Sequence, residues 1–512
     1  MRILRHNSLA VILCGLLWGT LAAGVRAQDS QQPDSQSQQN QGQQNQGQTT
    51  PQGQQNEEQA TKPIPAYRSP LASAAGSQDE DQETQPLTPD TTPLSGALNV
   101  GLGNLEHDHS YWQPHIDISG SIDSNPEEGP NSSNWSTWTS ISGGIDLHKV
   151  SGNSDLILNY LGGGMIATGG VGSSGVLQQM GVVEKLSLRR WTLSFIDQLN
   201  YLPGSAFGFG GADGIGLGEG GSTGLGSTFG LPGQTALTGL GQSIANAFTT
   251  EADVNLTGRT SLTFVGGYTV LDYPDSTLLN STGANFRAGY NYLLTRKDTV
   301  AAFYTYSGIR YSNFNQSIDV HTIQGSFARR LTGKLAFQVA AGPQFAIFRI
   351  PIPSSSGSSG SETTSANSSS QVYWSLNMNL DYQLRRTDFN LSYNHGVNDG
   401  SGLLGGSVGD IVAGSVTRQM SRTFSSGVTA GYSRNRGVAI GTTTPTSQTY
   451  NYSFVGASFT HPVGRALGLT FSYQLQYQDS NTSFCLGPTC GTSVIRHVIS
   501  FGIGWHEKPL PF

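Results

Sequence analysis

The chain has 512 residues, a net charge of −7 and 12% charged residues, about half the charged share of an average soluble domain. Its 67 glycines and 9% aromatics suit a protein of many strands with small side chains on one face, and suit a helical protein poorly. The mild acidity argues against a nucleic-acid partner, which requires a basic face. After the N-terminus no run of roughly eighteen apolar residues points to a helical membrane span.

The N-terminus reads as a secretory signal. Arg2, Arg5 and His6 precede an apolar run from Leu9 to Leu21, and Val25-Arg26-Ala27 sets small residues at the −3 and −1 positions of a cleavage site. Residues 1–27 are therefore expected to be removed, and Cys14 with them. Residues 28–104 are rich in Gln, Ser, Pro and Gly and poor in apolar side chains. Such a stretch buries too little surface to offset the entropy of ordering, and it is expected to form a disordered periplasmic arm.

From 105 to 512 the pattern changes to repeated alternation, with about eighteen candidate strands from Tyr111 onward. The clearest lies near the C-terminus. Leu467, Leu469, Phe471, Tyr473, Leu475 and Tyr477 alternate with Gly468, Thr470, Ser472, Gln474 and Gln476. A strand sends alternate side chains to opposite faces, so one face is apolar and the other polar. The run exceeds the ~5–6 residues of a usual soluble strand and reaches the ~9–11 needed to cross a bilayer at a tilt. Val372, Trp374, Leu376, Met378 and Leu380 alternate in the same way with Tyr373, Ser375, Asn377, Asn379 and Asp381. Two segments fit less simply: Asp197 falls in phase with Phe195 and Leu199, and Pro343 interrupts another run.

The connections sort into two kinds that alternate along the chain. Short ones such as Arg189-Arg190, Arg296-Lys297 and Arg385-Arg386 are basic, whereas long ones such as 203–243, 349–370 and 479–492 are rich in Gly, Ser and Pro. In an up-and-down sheet alternate connections lie at opposite ends, so one end carries tight turns and the other mostly long loops. A transmembrane barrel has that asymmetry; a soluble sandwich has no reason for it.

On these features the chain resembles the porin-type outer-membrane β-barrels of Gram-negative bacteria, over roughly residues 105–512. The resemblance implies an all-β, antiparallel up-and-down barrel of about eighteen strands (16–18), wide enough for an aqueous channel. It implies an address in the outer membrane, contact with membrane lipid and with the barrel-insertion machinery, and leaves a homo-oligomer open. Ile499-x-Phe501-x-Ile503-x-Trp505 matches the aromatic terminal strand of that class, with His506 to Phe512 as a tail. By resemblance the third long loop, 203–243, is a candidate to fold inward with Asp213 and Glu219 as constriction acids, while its glycine content fits a mobile surface loop equally.

The residue pattern names further candidates. Thr470, Ser472, Gln474, Gln476, Asn377, Asn379 and Asp381 are expected to line the lumen. Arg287, Arg310, His321, Asp410 and Arg496 are further candidates for inward charge. His107, His109 and His115 are weak candidates for a metal site, although solvated side chains at the edge of the arm explain them as well. Cys485 and Cys490 are expected to form a disulfide within one outer loop, since they are the cysteines left after signal removal and the compartment is oxidising. No convincing nucleophile elbow or phosphate-cradling loop is present, so neither an enzyme nor a cofactor is expected. The favoured reading is a water-filled pore for passive or mildly selective diffusion of small hydrophilic solutes. An accessory barrel for surface-polymer export and a lipid hydrolase acting at the barrel rim are the alternatives.

Overall fold

A computed structural model describes residues 93–96, 110–125, 135–170, 174–203, 242–274, 278–312, 316–351, 366–421, 423–438, 448–481 and 493–511. Its strands, in chain order, are β1 (Tyr111–Asp123), β2 (Ser136–Ser151), β3 (Ser154–Gly169), β4 (Gly175–Ser187), β5 (Trp191–Leu202) and β6 (Ser243–Asn255). There follow β7 (Thr260–Asp272), β8 (Ser281–Leu293), β9 (Asp298–Tyr311), β10 (Gln316–Thr332), β11 (Leu335–Pro351) and β12 (Ala366–Leu384). The last are β13 (Thr387–Asn398), β14 (Ser407–Ser421), β15 (Phe424–Gly437), β16 (Thr449–Val463), β17 (Leu467–Ser480), β18 (Val494–His506) and the short β19 (Leu510–Pro511).

Each strand from β1 to β18 pairs antiparallel with its sequence neighbours, and β1 also pairs with β18, from His115↔His506 to Asp123↔Val498. The sheet is thus a closed barrel of eighteen strands, with β19 added beside the start of β1 through Tyr111↔Pro511 and Trp112↔Leu510. Closure joins the first and last strands, so the wall meets most of its backbone hydrogen-bonding need by cross-strand pairing rather than by water. No described helix is long and apolar enough to cross a membrane, which says nothing of strands.

Connections at one end are two to four residues long, from 152–153 to 464–466. Gly152 and Gly464 hold φ of 58° and 74° there, a left-handed geometry that tight hairpins need. At the other end connections run from four residues (312–315) to forty (203–242).

The two faces of the wall differ as the alternation demands. Ile116, Ile118, Phe264, Tyr268, Phe286, Tyr290, Ile323, Trp374, Met378, Val412, Val428, Phe471 and Ile503 are exposed and point outward. Their strand neighbours point inward, and many are polar and buried: His115, Asp117, Thr263, Asn285, Asn291, Ser375, Asn379 and Gln476. The outward set has the chemistry of hydrocarbon and the inward set that of water.

Near the loop end, from β9 to β16, the two faces exchange character. There Ile309, Tyr311, Ile318, Val320, Ala346 and Phe348 form a buried apolar cluster on the inward face. A second inward cluster joins Ile411 and Ala413 to Tyr452, Phe454 and Val494. The outward neighbours at the same height are Arg310, Asp319, Arg349, Asp410, Arg434 and Arg436. β10, β11 and β12, at 17, 17 and 19 residues, are longer than the ~9–11 that a bilayer requires, so their loop ends rise past the apolar band.

The two awkward segments resolve differently. Asp197 sits on the outward face with no shift of register on either side of β5. Asn246 of β6 donates its Nδ2–H to Asp197 Oδ1 at 2.8 Å and to the Gln198 carbonyl at 3.0 Å, which satisfies the pair within the apolar face. Pro343 lies within β11. The β10–β11 ladder lapses opposite Gly342 and Pro343 and resumes in the same register, with Gly325↔Ala341 on one side and Thr322↔Gln344 on the other. The cost is a short gap in the ladder rather than a bulge.

The seam between β1 and β18 is held on the inside by a buried ion pair. Arg496 Nε donates to Asp123 Oδ2 at 2.7 Å and Nη2 lies 2.6 Å from the same oxygen. Removing one member leaves the other buried without this counter-charge, at about 3–5 kcal/mol. Asp123→Ala or Arg496→Ala should therefore lower the temperature at which the folded band disappears in a heat-modifiability gel. Asp123→Asn with Arg496→Gln should recover most of the loss. The two faces are tested separately: Phe471→Arg places a charge among outward side chains at about 2–4 kcal/mol and should abolish membrane assembly, whereas Ser472→Arg, on the inward face, should assemble normally in a fractionation assay.

Candidate functional site: the barrel interior

The wall of β12 and β13 carries an amide ladder on its inward face. Asn379 Nδ2 donates to Asp381 Oδ2 at 2.7 Å, and Asn390 Nδ2 donates to Asn379 Oδ1 at 3.1 Å and to Asp381 Oδ1 at 2.5 Å. Asn394 donates to Asn377 one step further along. On β17, Thr470, Ser472, Gln474 and Gln476 occupy the inward positions, and Gln476 is buried beside Arg496. These rows offer fixed donors and acceptors along the strand direction.

The half of the interior near the short turns is acidic. Asp117, Asp146 and Asp155 from β1 to β3 face inward with His115 and His148, and Glu251, Asp253 and Arg287 face inward from β6 and β8. His115 Nδ1 lies 3.5 Å from Asp146 Oδ2, and His148 Nε2 lies 2.7 Å from Asp155 Oδ1. Among the described residues no group of three or more His, Cys, Asp or Glu is arranged to hold a metal ion.

A turn from the N-terminal stretch lies inside this region. Pro93 to Gly96 closes on itself through Gly96 N–H donating to the Pro93 carbonyl at 3.0 Å. Ser95 donates through its backbone N–H and its hydroxyl to Asn291 Oδ1, at 3.1 and 3.0 Å, and Arg287 Nη1 donates to the Gly96 carbonyl at 2.9 Å. Leu94 packs on Ala301 and Ala328, both inward residues of β9 and β10. Every partner belongs to the inner face of β8, β9 or β10, so the turn occupies the lumen. The surrounding residues 28–104 were read from composition as a free arm; these four positions are packed.

At the opposite end the connection 399–406 between β13 and β14 folds into the mouth. Leu404 is 1% exposed. Tyr311 donates its hydroxyl to the Asp399 carbonyl at 2.7 Å, Gln316 Nε2 donates to the Gly405 carbonyl at 2.6 Å, and Leu279 N–H donates to the Gly402 carbonyl at 2.8 Å. These partners lie on or beside β8 to β10, several strands away around the wall, so the loop spans part of the opening. Gly402 and Gly406, at φ of 77° and 100°, permit the approach; a Cβ on Gly402 would strike the Tyr273 ring and one on Gly406 would strike Ile318. Two members of the inward apolar cluster, Tyr311 and Ile318, lie against this loop.

Of the other residues singled out from sequence, Asp381, Arg287 and Arg496 point inward. Arg310, His321 and Asp410 do not: all three lie on the outward face, against the expectation of lumen charge. That expectation equated charge within a strand with a wet interior, which fails where strands project beyond the apolar band. His115 is inward and buried. His107, His109, Asp213, Glu219, Cys485, Cys490, Phe512 and the signal segment lie outside the described residues. Sequence reasoning missed the turn 93–96 and the inward aromatics of β16. The second had a visible signal: Tyr450, Tyr452 and Phe454 alternate in one phase, and Val455, Ala457 and Phe459 in the other.

No family model matches the chain, and no curated protein matches it. Solved structures similar to it include OpdQ of Pseudomonas aeruginosa, at 10% identity and a TM-score of 0.38, covering 79% of this chain and 100% of that one. OccAB1 of Acinetobacter baumannii aligns at 10% identity and 0.39, over 78% and 96% of the two chains. OccK2 (OpdF) of Pseudomonas aeruginosa, solved in complex with glucuronate, aligns at 7% identity and 0.37, over 78% and 98%.

Docking of the 399–406 loop depends on Leu404. Truncating a buried leucine to alanine costs about 2–5 kcal/mol, and at a surface loop that loss falls on local docking. Leu404→Ala should make the loop a site of rapid limited proteolysis while the barrel bands remain intact; unchanged cleavage would show that the backbone bonds alone hold it.

Proposed function

We propose that the chain is an outer-membrane pore through which small hydrophilic solutes diffuse, passively or with mild selectivity. The observation that carries the reading is the division of the closed wall, with apolar side chains outward across the middle of the strands and hydrogen-bonding side chains inward along β1, β12, β13 and β17. The outward face suits hydrocarbon, and the inward rows suit a hydrated path. The basic short turns then face the periplasm, the long loops face outside, and the arm lies on the periplasmic side. In this reading Asn377, Asn379, Asp381, Thr470, Ser472, Gln474 and Gln476 line the path, and the acids near the short turns bias it toward cations and zwitterions. The turn 93–96 and the loop 399–406 narrow it from the two ends. No reaction is assigned to it.

Single-channel recording in planar bilayers tests the reading. The purified full chain should show a steady conductance. Leu94→Asp combined with Ser95→Ala, which loosens the turn and leaves the wall intact, should raise it. Asp117→Asn with Asp146→Asn should shift the reversal potential away from cation preference in a salt gradient. Absence of conductance in wild type and in the loosened variant would sink the pore and favour an accessory role in polymer export.

A further inference from the structure

The outward face carries one polar device twice, at the same height and in the same register. On β10, Asp319 lies opposite Gly308 of β9 and Ile347 of β11. Its carboxylate accepts from the Tyr306 hydroxyl at 2.9 Å, two residues before Gly308, and from Arg349, two residues after Ile347. Arg310 Nη2 adds a third bond at 2.8 Å. On β14, Asp410 lies opposite His395 of β13 and Arg434 of β15. Its carboxylate accepts from the Tyr393 hydroxyl at 3.0 Å, two residues before His395, and faces Arg436 at 3.4 Å, two residues after Arg434. Four strands apart, a tyrosine from the preceding strand and an arginine from the following strand bracket the same aspartate.

The brackets hold arginine side chains outward at the loop end. Arg310, Arg349 and Arg436 are 48%, 46% and 48% exposed, while Asp319 beneath two of them is 7% exposed. Arg434 is exposed beside Arg436. Four arginines against two aspartates leave this sector of the face positive. Among the described residues, the outward loop-end positions of β1 to β8 and β16 to β18 carry no Arg or Lys. Directly below lie Ile323, Phe345, Trp374 and Val412, exposed and apolar. A guanidinium just above an apolar band sits at headgroup height, where its cost is small and its five N–H donors meet whatever the leaflet presents.

Resting on the reading of the chain as an outer-membrane barrel, we propose that this sector binds a lipid of the outer leaflet whose headgroup carries phosphate, held by bidentate guanidinium–phosphate bonds from the two brackets. Charge complementarity selects the headgroup: phosphate matches the planar fork of arginine, and two brackets at one height present two such sites to one leaflet. The aspartates set the direction of Arg310, Arg349 and Arg436; Tyr306 sets that of Asp319, and Tyr393 with His395, whose Nδ1 lies 2.7 Å away, sets that of Asp410. Trp374, stacked on His395 at a centroid distance of 3.7 Å, makes a flat apolar surface below the second bracket for an acyl chain.

The probe is lipid A with both phosphates, supplied in phosphatidylethanolamine vesicles and in detergent, against its dephosphorylated form. The full chain should retain the phosphorylated lipid through size exclusion and should gain thermal stability from it. Arg310→Gln/Arg349→Gln/Arg434→Gln/Arg436→Gln should weaken retention by at least about tenfold, the loss expected for several charge-assisted hydrogen bonds. If the quadruple variant does not fold, Arg349→Gln/Arg436→Gln carries the test. Equal retention by the variant, equal retention of the dephosphorylated lipid, or displacement by inorganic phosphate would each overturn the proposal. So would a change in particle mass by light scattering with lipid binding unaltered, which would make the sector a contact between copies. Conductance of the same protein in phosphatidylcholine bilayers is read in parallel, so that a failed pore and a failed lipid site are told apart.

Discussion

The constraint on which the structure depends is that a backbone in hydrocarbon has no water to bond. Every N–H and C=O across the apolar band must find a partner in the chain, and in a sheet this is met only by closure. The pairing of β1 with β18 is therefore the contact without which the other seventeen ladders would still leave two open edges. The buried Asp123–Arg496 pair lies at that seam. A charge pair is a costly choice for a buried position, and it lies where register must be specified. Once closed, the wall has only two faces, and a period of two assigns each residue to one of them.

That period made the barrel legible in the sequence. Leu467 to Tyr477 and Val372 to Leu380 announce the apolar phase, and the alternation of basic tight turns with long loops gives the ends. Asp197 was not legible: its phase with Phe195 and Leu199 suggests a bulge or a misplaced phase, yet the register is unbroken and the partner that accommodates it, Asn246, lies on the next strand. What misled was the assumption that charge within a strand marks the lumen. Arg310, His321 and Asp410 face outward because β9, β10 and β14 rise beyond the apolar band, where the faces trade roles. The flip from Phe454 to Val455 records that boundary in the sequence of β16, for a reader who allows the phase to change within a strand.

The inversion also accounts for the mouth. Above the apolar band the outer face turns polar, and in the membrane reading it would meet headgroups and water, where Asp319 and Arg349 cost little. The inner face is free to turn apolar, and it does so where Tyr311 and Ile318 lie against the loop 399–406. The same short stretch of β9, β10 and β11 thus sends Tyr311, Gln316 and Ile318 to the loop and Arg310, Asp319 and Arg349 to the outer face. One stretch of extra strand length serves both sides.

The turn 93–96 could not be read locally, because its partners Arg287, Asn291, Ala301 and Ala328 lie about two hundred residues away. The energetic scale explains why so small an element can lodge there without being locked. Three hydrogen bonds contribute about 0.5–1.5 kcal/mol each, and burying one leucine contributes about 1.5–3. Ordering the backbone of four residues costs about 1–2 kcal/mol apiece. The terms nearly cancel, so the docked and released states differ by little. On the contacts of these four positions alone, the turn is a weakly held guest of the inner face rather than part of the wall.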